Sequence, residues 1–256
     1  MILDEIVAHK KAEVARRLMR RAAGEVAAAA ERAPEPPDFR AALRGPGLAV
    51  IAEIKGSSPS AGTIRGGFDP VGVARAYEAG GAAALSVLTD EKYFRGSWES
   101  LASVARAVRL PVLCKEFVID PYQIDEARAA GAAAVLLIAP LLEGSLGAYL
   151  RQAGRRGLAA LVEVHTADEV ALALDAGADT IGINNRDLRT LRVDLGTTAR
   201  LRPLIPPGVV VVSESGFERR EQVEQVERLG VNAILVGTVL MASGEPAAKL
   251  RELRGA

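Results

Sequence analysis

Residues able to do chemistry recur at one kind of position in this chain, the C-terminal ends of short apolar runs. The first run leads into Glu53-Ile54-Lys55, the third into Cys114-Lys115-Glu116 and the fifth carries Glu163. The sixth leads into Asn184-Asn185-Arg186, the seventh into Ser213-Glu214-Ser215-Gly216 and the eighth into Gly237-Thr238. Side chains alternate along a strand, so Glu53 and Lys55 share a face. Two lysines and several carboxylates converging on one place make an acid–base site. A lysine shielded beside carboxylates is tuned to act as a general acid, and a shielded glutamate shuttles a proton the other way. Any one such residue reads equally well as a solvated loop charge, but recurrence on separate strands argues for a site. Gly216, Gly237 and Thr238 suggest a second chemistry. Small residues let backbone N–H groups approach an anion such as phosphate, and a helix N-terminus adds positive potential. The ordinary alternative is that these glycines serve tight turns.

Such residues need a scaffold that gathers strand ends. Apolar runs at 49–54, 83–88, 112–115, 133–138, 159–164, 180–184, 209–213 and 233–236 alternate with segments of helical periodicity. Runs apolar throughout suit parallel strands buried on both faces. Eight strand–helix units over residues 47–256 predict a closed (β/α)8 TIM barrel, whose site lies at the C-terminal strand ends with phosphate after strands 7 and 8. An open doubly wound sheet is the alternative, but no G-x-G-x-x-G follows the first strand. Gly81, Gly131, Gly177 and Gly230 each close a helix just before a strand, where left-handed backbone is expected. Residues 1–46 read as an N-terminal helical extension of the same domain. It holds a helix over 2–23 with Ile2, Ile6, Val7, Val14 and Leu18 on one stripe, a break at Ala33-Pro34-Glu35-Pro36-Pro37 and a short helix over 38–44. The stripe must be buried, over the barrel mouth or as a cap on its floor.

The 256 residues are 49% hydrophobic and carry a formal net charge of zero. That composition fills a core and leaves no basic field for nucleic acid. No apolar run is long enough to span a bilayer, and the N-terminus lacks the layout of a signal peptide. A cytoplasmic monomer acting on a small molecule is expected, with neither membrane nor nucleic acid as partner. The single cysteine, Cys114, precedes Lys115 and so faces away from the mouth as an inert core group. His9 and His165 lack metal-like partners in the sequence and read as surface residues. Tyr93, Phe94 and Phe117 follow strands 2 and 3, where they form either an aromatic slot or ordinary packing, and Trp98 reads as helix packing.

The motifs Ala52-Glu53-Ile54-Lys55-Gly56-Ser57-Ser58-Pro59-Ser60, Leu88-Thr89-Asp90-Glu91-Lys92-Tyr93-Phe94-Arg95-Gly96-Ser97 and Lys115-Glu116-Phe117 resemble the indole-3-glycerol-phosphate synthase family. So do Leu161-Val162-Glu163, Gly182-Ile183-Asn184-Asn185-Arg186-Asp187-Leu188 and Ser213-Glu214-Ser215-Gly216, all in family order. The resemblance implies ring closure, decarboxylation and dehydration of 1-(2-carboxyphenylamino)-1-deoxyribulose 5-phosphate in tryptophan biosynthesis, with no metal or organic cofactor. It implies that Lys115 is the general acid of ring closure, that Glu163 is the acid/base of dehydration, and that Lys55 contacts the anionic substrate. Glu53, Asn184 and Ser215 would orient these groups. Ser58, Arg186 and Glu214 would bind substrate, and Gly216, Gly237 and Thr238 would cradle its phosphate. Ala61 and Gly66-Gly67 depart from the family pattern in the loop after strand 1. Rival chemistries are a sugar-phosphate isomerase, which would need a cysteine acid in the site, and an aldolase with Lys115 as Schiff-base nucleophile. A non-catalytic barrel scaffold would have lost the strand-end charges, and they are present.

Overall fold

The structure is a computed structural model that describes residues 2–58, 62–64, 67–187 and 190–255. Pro59, Ser60, Ala61, Gly66, Leu188 and the side chain of Ile2 lie outside the described residues. Eight parallel strands close into a barrel. They are β1 (Ala49–Ile54), β2 (Ala84–Leu88), β3 (Val112–Lys115), β4 (Ala134–Ile138), β5 (Ala159–Val164), β6 (Thr180–Asn184), β7 (Val210–Glu214) and β8 (Ala233–Val236). Each pairs with its sequence neighbours, and β8 closes on β1 through Ala49↔Ala233 to Ala52↔Val236.

Strand parity sorts the side chains into two apolar layers. Ile51, Leu113, Leu136, Leu161, Val212 and Leu235 fill the barrel. Val50, Ala52, Cys114, Val135, Val162 and Ile183 face outward, in one cluster with Tyr77, Leu101, Ile124, Val223 and Leu250 of the surrounding helices. Cys114 is thus buried beneath helices, as the alternation requires. β7 runs to Glu214 rather than stopping at Ser213, so Val210, Val212 and Glu214 share the inner face. Helices begin abruptly because capping side chains meet their first N–H groups: Asp69, Asp90, Ser97 and Thr166 all do so. Gly81, Gly131, Gly177 and Gly230 take φ between 74° and 90°, the left-handed turn from helix to strand.

The N-terminal extension wraps three sides of the barrel. α1 (Ile2–Arg20) is shorter than the periodicity predicts, and the chain restarts as α2 (Ala23–Arg32). Lys10 of α1 is fully buried at the mouth side, 2.9 Å from Asp90 beyond β2 and 3.0 Å from Glu116 beyond β3. Arg17 lies over the Trp98 ring at 5.3 Å, so Trp98 packs against α1 as well as its own helix. α2 lies on the flank, where Val26 packs with Val14 and Tyr122. α3 (Phe39–Ala42), capped by Asp38, brings Phe39 and Leu43 into the inner layer from below. Arg40 anchors it to Asp179 at 2.6 Å, and Arg44 donates to the Gly208 carbonyl at 2.7 Å, both just before strands. Covering the mouth and capping the floor are therefore done by different helices of one extension.

Candidate active site

The residues given catalytic or substrate-binding roles from the strand ends and family motifs, from Glu53 and Lys55 through Lys115, Glu163 and Asn184 to Ser215, Gly237 and Thr238, line one cavity of about 910 Å³ at the C-terminal mouth. Leu3 and Ile6 of α1 line it too. Its floor is a row of opposed charges. The Lys115 ammonium lies 3.0 Å from Glu163 Oε2 and 3.1 Å from Glu214 Oε2. Across the barrel, Lys55 Nζ donates to Glu53 Oε1 at 2.6 Å. The Glu163 and Glu214 side chains are only 3% and 1% exposed, so these charges interact with little solvent screening.

Burial works to lower the Lys115 ammonium, but Glu163, Glu214 and Glu53 outweigh it and hold the lysine above its ordinary value. A lysine so held is a proton donor, not the neutral amine that Schiff-base chemistry needs. Burial also pushes the Glu163 carboxyl up, yet Lys115 and His165 pull it below its ordinary value, and Asn184 hydrogen-bonds it. Glu214 goes the other way, pushed up to about 7 by burial and by the charges of Glu163 and Glu53, against Lys115. Two carboxylates share one ammonium and are driven apart, one ionised and one ready to hold a proton. The sequence marks Glu214 only for substrate contact, but the structure sets it directly on Lys115. The missed signal is its parity with Val210 and Val212. A side chain at Gly182 would run into Glu214, so this room depends on the glycine.

The ends of β6 and β7 are fixed by a hub the sequence reading passes over. Asn185 Nδ2 donates to Ser213 Oγ and the Ser215 carbonyl, while its Oδ1 accepts from the Thr198 amide and hydroxyl. This holds Ser215 in left-handed backbone at φ 70°, followed by Gly216 at φ 94°. Asn184 beside it accepts from the Arg186 amide, and Arg186 Nη1 donates to the Leu191 carbonyl. Gly237 and the exposed Thr238 open a helix after β8. A Cβ at Gly237 would lie 2.5 Å from Glu53 Oε1 and 3.1 Å from Lys55 Nζ, so that glycine also makes room for the acid–base pair.

Phe94 and Phe117 face the cavity with ring centroids 6.1 Å apart, tilted by 38°. Tyr93 does not join them; its ring packs edge-on against His9. Ser58 lies in a two-residue ladder with Gly62, and Ser57 Oγ donates to the Tyr93 carbonyl, which ties the loop after β1 to the loop after β2. His165 corrects the surface reading. Its side chain is only 15% exposed and sits between Glu163 and Glu169. Parity again explains the miss: two residues beyond Glu163, it returns to the same side of the strand.

The family model for indole-3-glycerol phosphate synthase matches residues 3–253. An indole-3-glycerol phosphate synthase of Dehalococcoides mccartyi (strain CBDB1) is 46% identical, covering 99% of this chain and 100% of its own. The protein named indole-3-glycerol phosphate synthase 2 from Streptomyces coelicolor is 48% identical, with 99% of each chain covered. Among solved structures, 3-hexulose-6-phosphate synthase from Salmonella typhimurium superposes with a TM-score of 0.67 over 81% of this chain and 97% of its own. At 14% identity that likeness is one of fold alone. Barrel, floor of paired lysines and glutamates, and full-length similarity agree: the chain belongs to the indole-3-glycerol phosphate synthase family, the carboxy-lyases that close the indole ring in tryptophan biosynthesis.

Proposed function

We propose that this chain divides the family's reaction among its own residues as follows. The carboxyphenylamino-deoxyribulose phosphate lies with its aromatic ring between Phe94 and Phe117. Its phosphate meets the backbone at Ser215-Gly216 and Gly237-Thr238, and Ser58 and Arg186 border its length. Lys115 protonates the sugar carbonyl oxygen as the carboxylate-bearing ring carbon attacks. Loss of carbon dioxide leaves its electron pair in the ring. Glu163 then serves the departure of the hydroxyl as water and the removal of a proton from the adjacent methylene carbon, which completes the indole. Lys55, held by Glu53, neutralises the anionic substrate at the opposite wall.

The Lys115 ammonium, held charged between Glu163 and Glu214 in an apolar-walled cavity, carries this reading. Lys115→Ala should fold, by circular dichroism, yet lower turnover about a hundredfold or more in an assay of indole fluorescence. Near-normal turnover in the folded variant would remove Lys115 from the role.

A further inference from the structure

The reaction has a proton deficit that the cavity must make good. The carbonyl oxygen takes one proton, the departing hydroxyl takes a second, and the methylene carbon returns one. The substrate carboxylate leaves as neutral carbon dioxide, so each turnover consumes one proton from solvent. The groups that handle it lie beneath the substrate, and the Glu163 side chain is 3% exposed.

His165 stands on the far side of that carboxylate. Lys115 contacts Glu163 Oε2, whereas His165 Nε2 lies 3.6 Å from Oε1. Nε2 is buried and without a hydrogen-bond partner. The other ring nitrogen, Nδ1, lies 3.3 Å from Glu169 Oε2, and that oxygen also accepts the His165 amide at 2.6 Å. Thr166 caps the helix Ala167–Asp175, and Glu169, three residues on, folds back as in a capping box. This fixes the ring with Nδ1–H toward Glu169 and Nε2 toward Glu163. The side chains of His165 and Glu169, 15% and 20% exposed, lead outward from the buried carboxylate.

We propose that His165, oriented by Glu169, is the acid that returns a solvent proton to Glu163 in each turnover. The imidazolium gives its Nε2 proton to Glu163 Oε1. Rotation of the carboxyl group turns that proton toward Lys115, and the neutral ring is recharged by hydronium or a buffer acid. The inference rests on the assignment of Glu163 made above. The charged groups bearing on His165 are Glu163 of β5, Glu169 of the following helix and Glu214 of β7, with Lys115 of β3 behind Glu163. Burial works against the imidazolium, but these carboxylates raise it above the ordinary histidine value, so the ring keeps its proton to higher pH than a free histidine does and loses it as pH rises through that raised value.

The test compares turnover of the whole protein carrying His165→Ala, Glu169→Gln or Glu163→Gln across pH, with and without imidazole. His165→Ala should lose about tenfold or more in kcat and regain most of it as imidazole is added. Glu169→Gln, which keeps an acceptor for the helix cap, should move the alkaline limb of kcat to lower pH. Glu163→Gln should be inactive and indifferent to imidazole. Wild-type kcat in His165→Ala, or a loss that imidazole does not repair, would overturn the relay while leaving the Glu163 assignment intact. Turnover retained in Glu163→Gln would overturn that assignment and the relay with it. Should His165→Ala fail to fold, an unmoved alkaline limb in Glu169→Gln overturns the relay by itself.

Discussion

Replacing Lys10 by methionine tests how the N-terminal helix is held to the barrel mouth. The wild-type ammonium lies 2.8 Å from Glu13, 2.9 Å from Asp90 and 3.0 Å from Glu116. Asp90 and Glu116 are both essentially inaccessible to solvent. Methionine fills much of the same volume but leaves two buried carboxylates without their cation. Removing one partner of a buried ion pair costs about 3–5 kcal/mol. At roughly 2–4 °C per kcal/mol for a chain of this size, the melting temperature should fall by roughly 6–20 °C. The loss should depend on pH. Glu116 is already raised by burial, against the pull of Lys10, and it rises further once that cation is gone. A carboxyl group whose folded value lies above its unfolded one adds stability below the unfolded value and loses it as pH rises through the folded one. The gap between variant and wild type should therefore be larger at about pH 8 than at about pH 5.5. Thermal unfolding followed by circular dichroism at both values is the assay. A shift smaller than about 2 °C at the higher pH, or a gap that widens on acidification, would refute the argument.

Two further predictions concern the cavity walls. Gly237→Val should weaken competition by inorganic sulfate and also lower kcat, because the new side chain would press on Glu53 and Lys55 as well as the anion cradle; unchanged inhibition and turnover would count against both uses of that glycine. Deleting residues 1–21 removes α1 with Leu3 and Ile6 but leaves Phe39 and Leu43 on the floor, so KM should rise or kcat fall more than lost stability explains, and unchanged kinetics at low temperature would show that α1 serves the fold alone.

The sequence by itself determined what local chemistry dictates. Alternation within short apolar runs placed the eight strands, and it put Cys114 outside while Glu53, Lys55 and Lys115 faced inward. Helix-ending glycines marked the turns into strands because left-handed backbone admits few other residues. Family motifs named the members of the cavity wall. The tertiary structure decided whatever depends on which strands face each other across a closed barrel. Glu163 and Glu214 come from β5 and β7, and only closure brings both onto Lys115 and drives their proton affinities apart. His165 differs, for Glu163 and Glu169 lie two and four residues away and strand parity already placed it on the side of Glu163; the fold added the burial of that strand end and the glutamate that folds back onto the ring. The extension's stripe showed that something must be covered, but mouth and floor were alternatives in the sequence. They became separate tasks only when Lys10 found Asp90 and Glu116 at one end of the barrel and Phe39 entered the inner layer at the other. Long-range electrostatics and packing have no period along the chain, and so such pairings cannot be read from spacing.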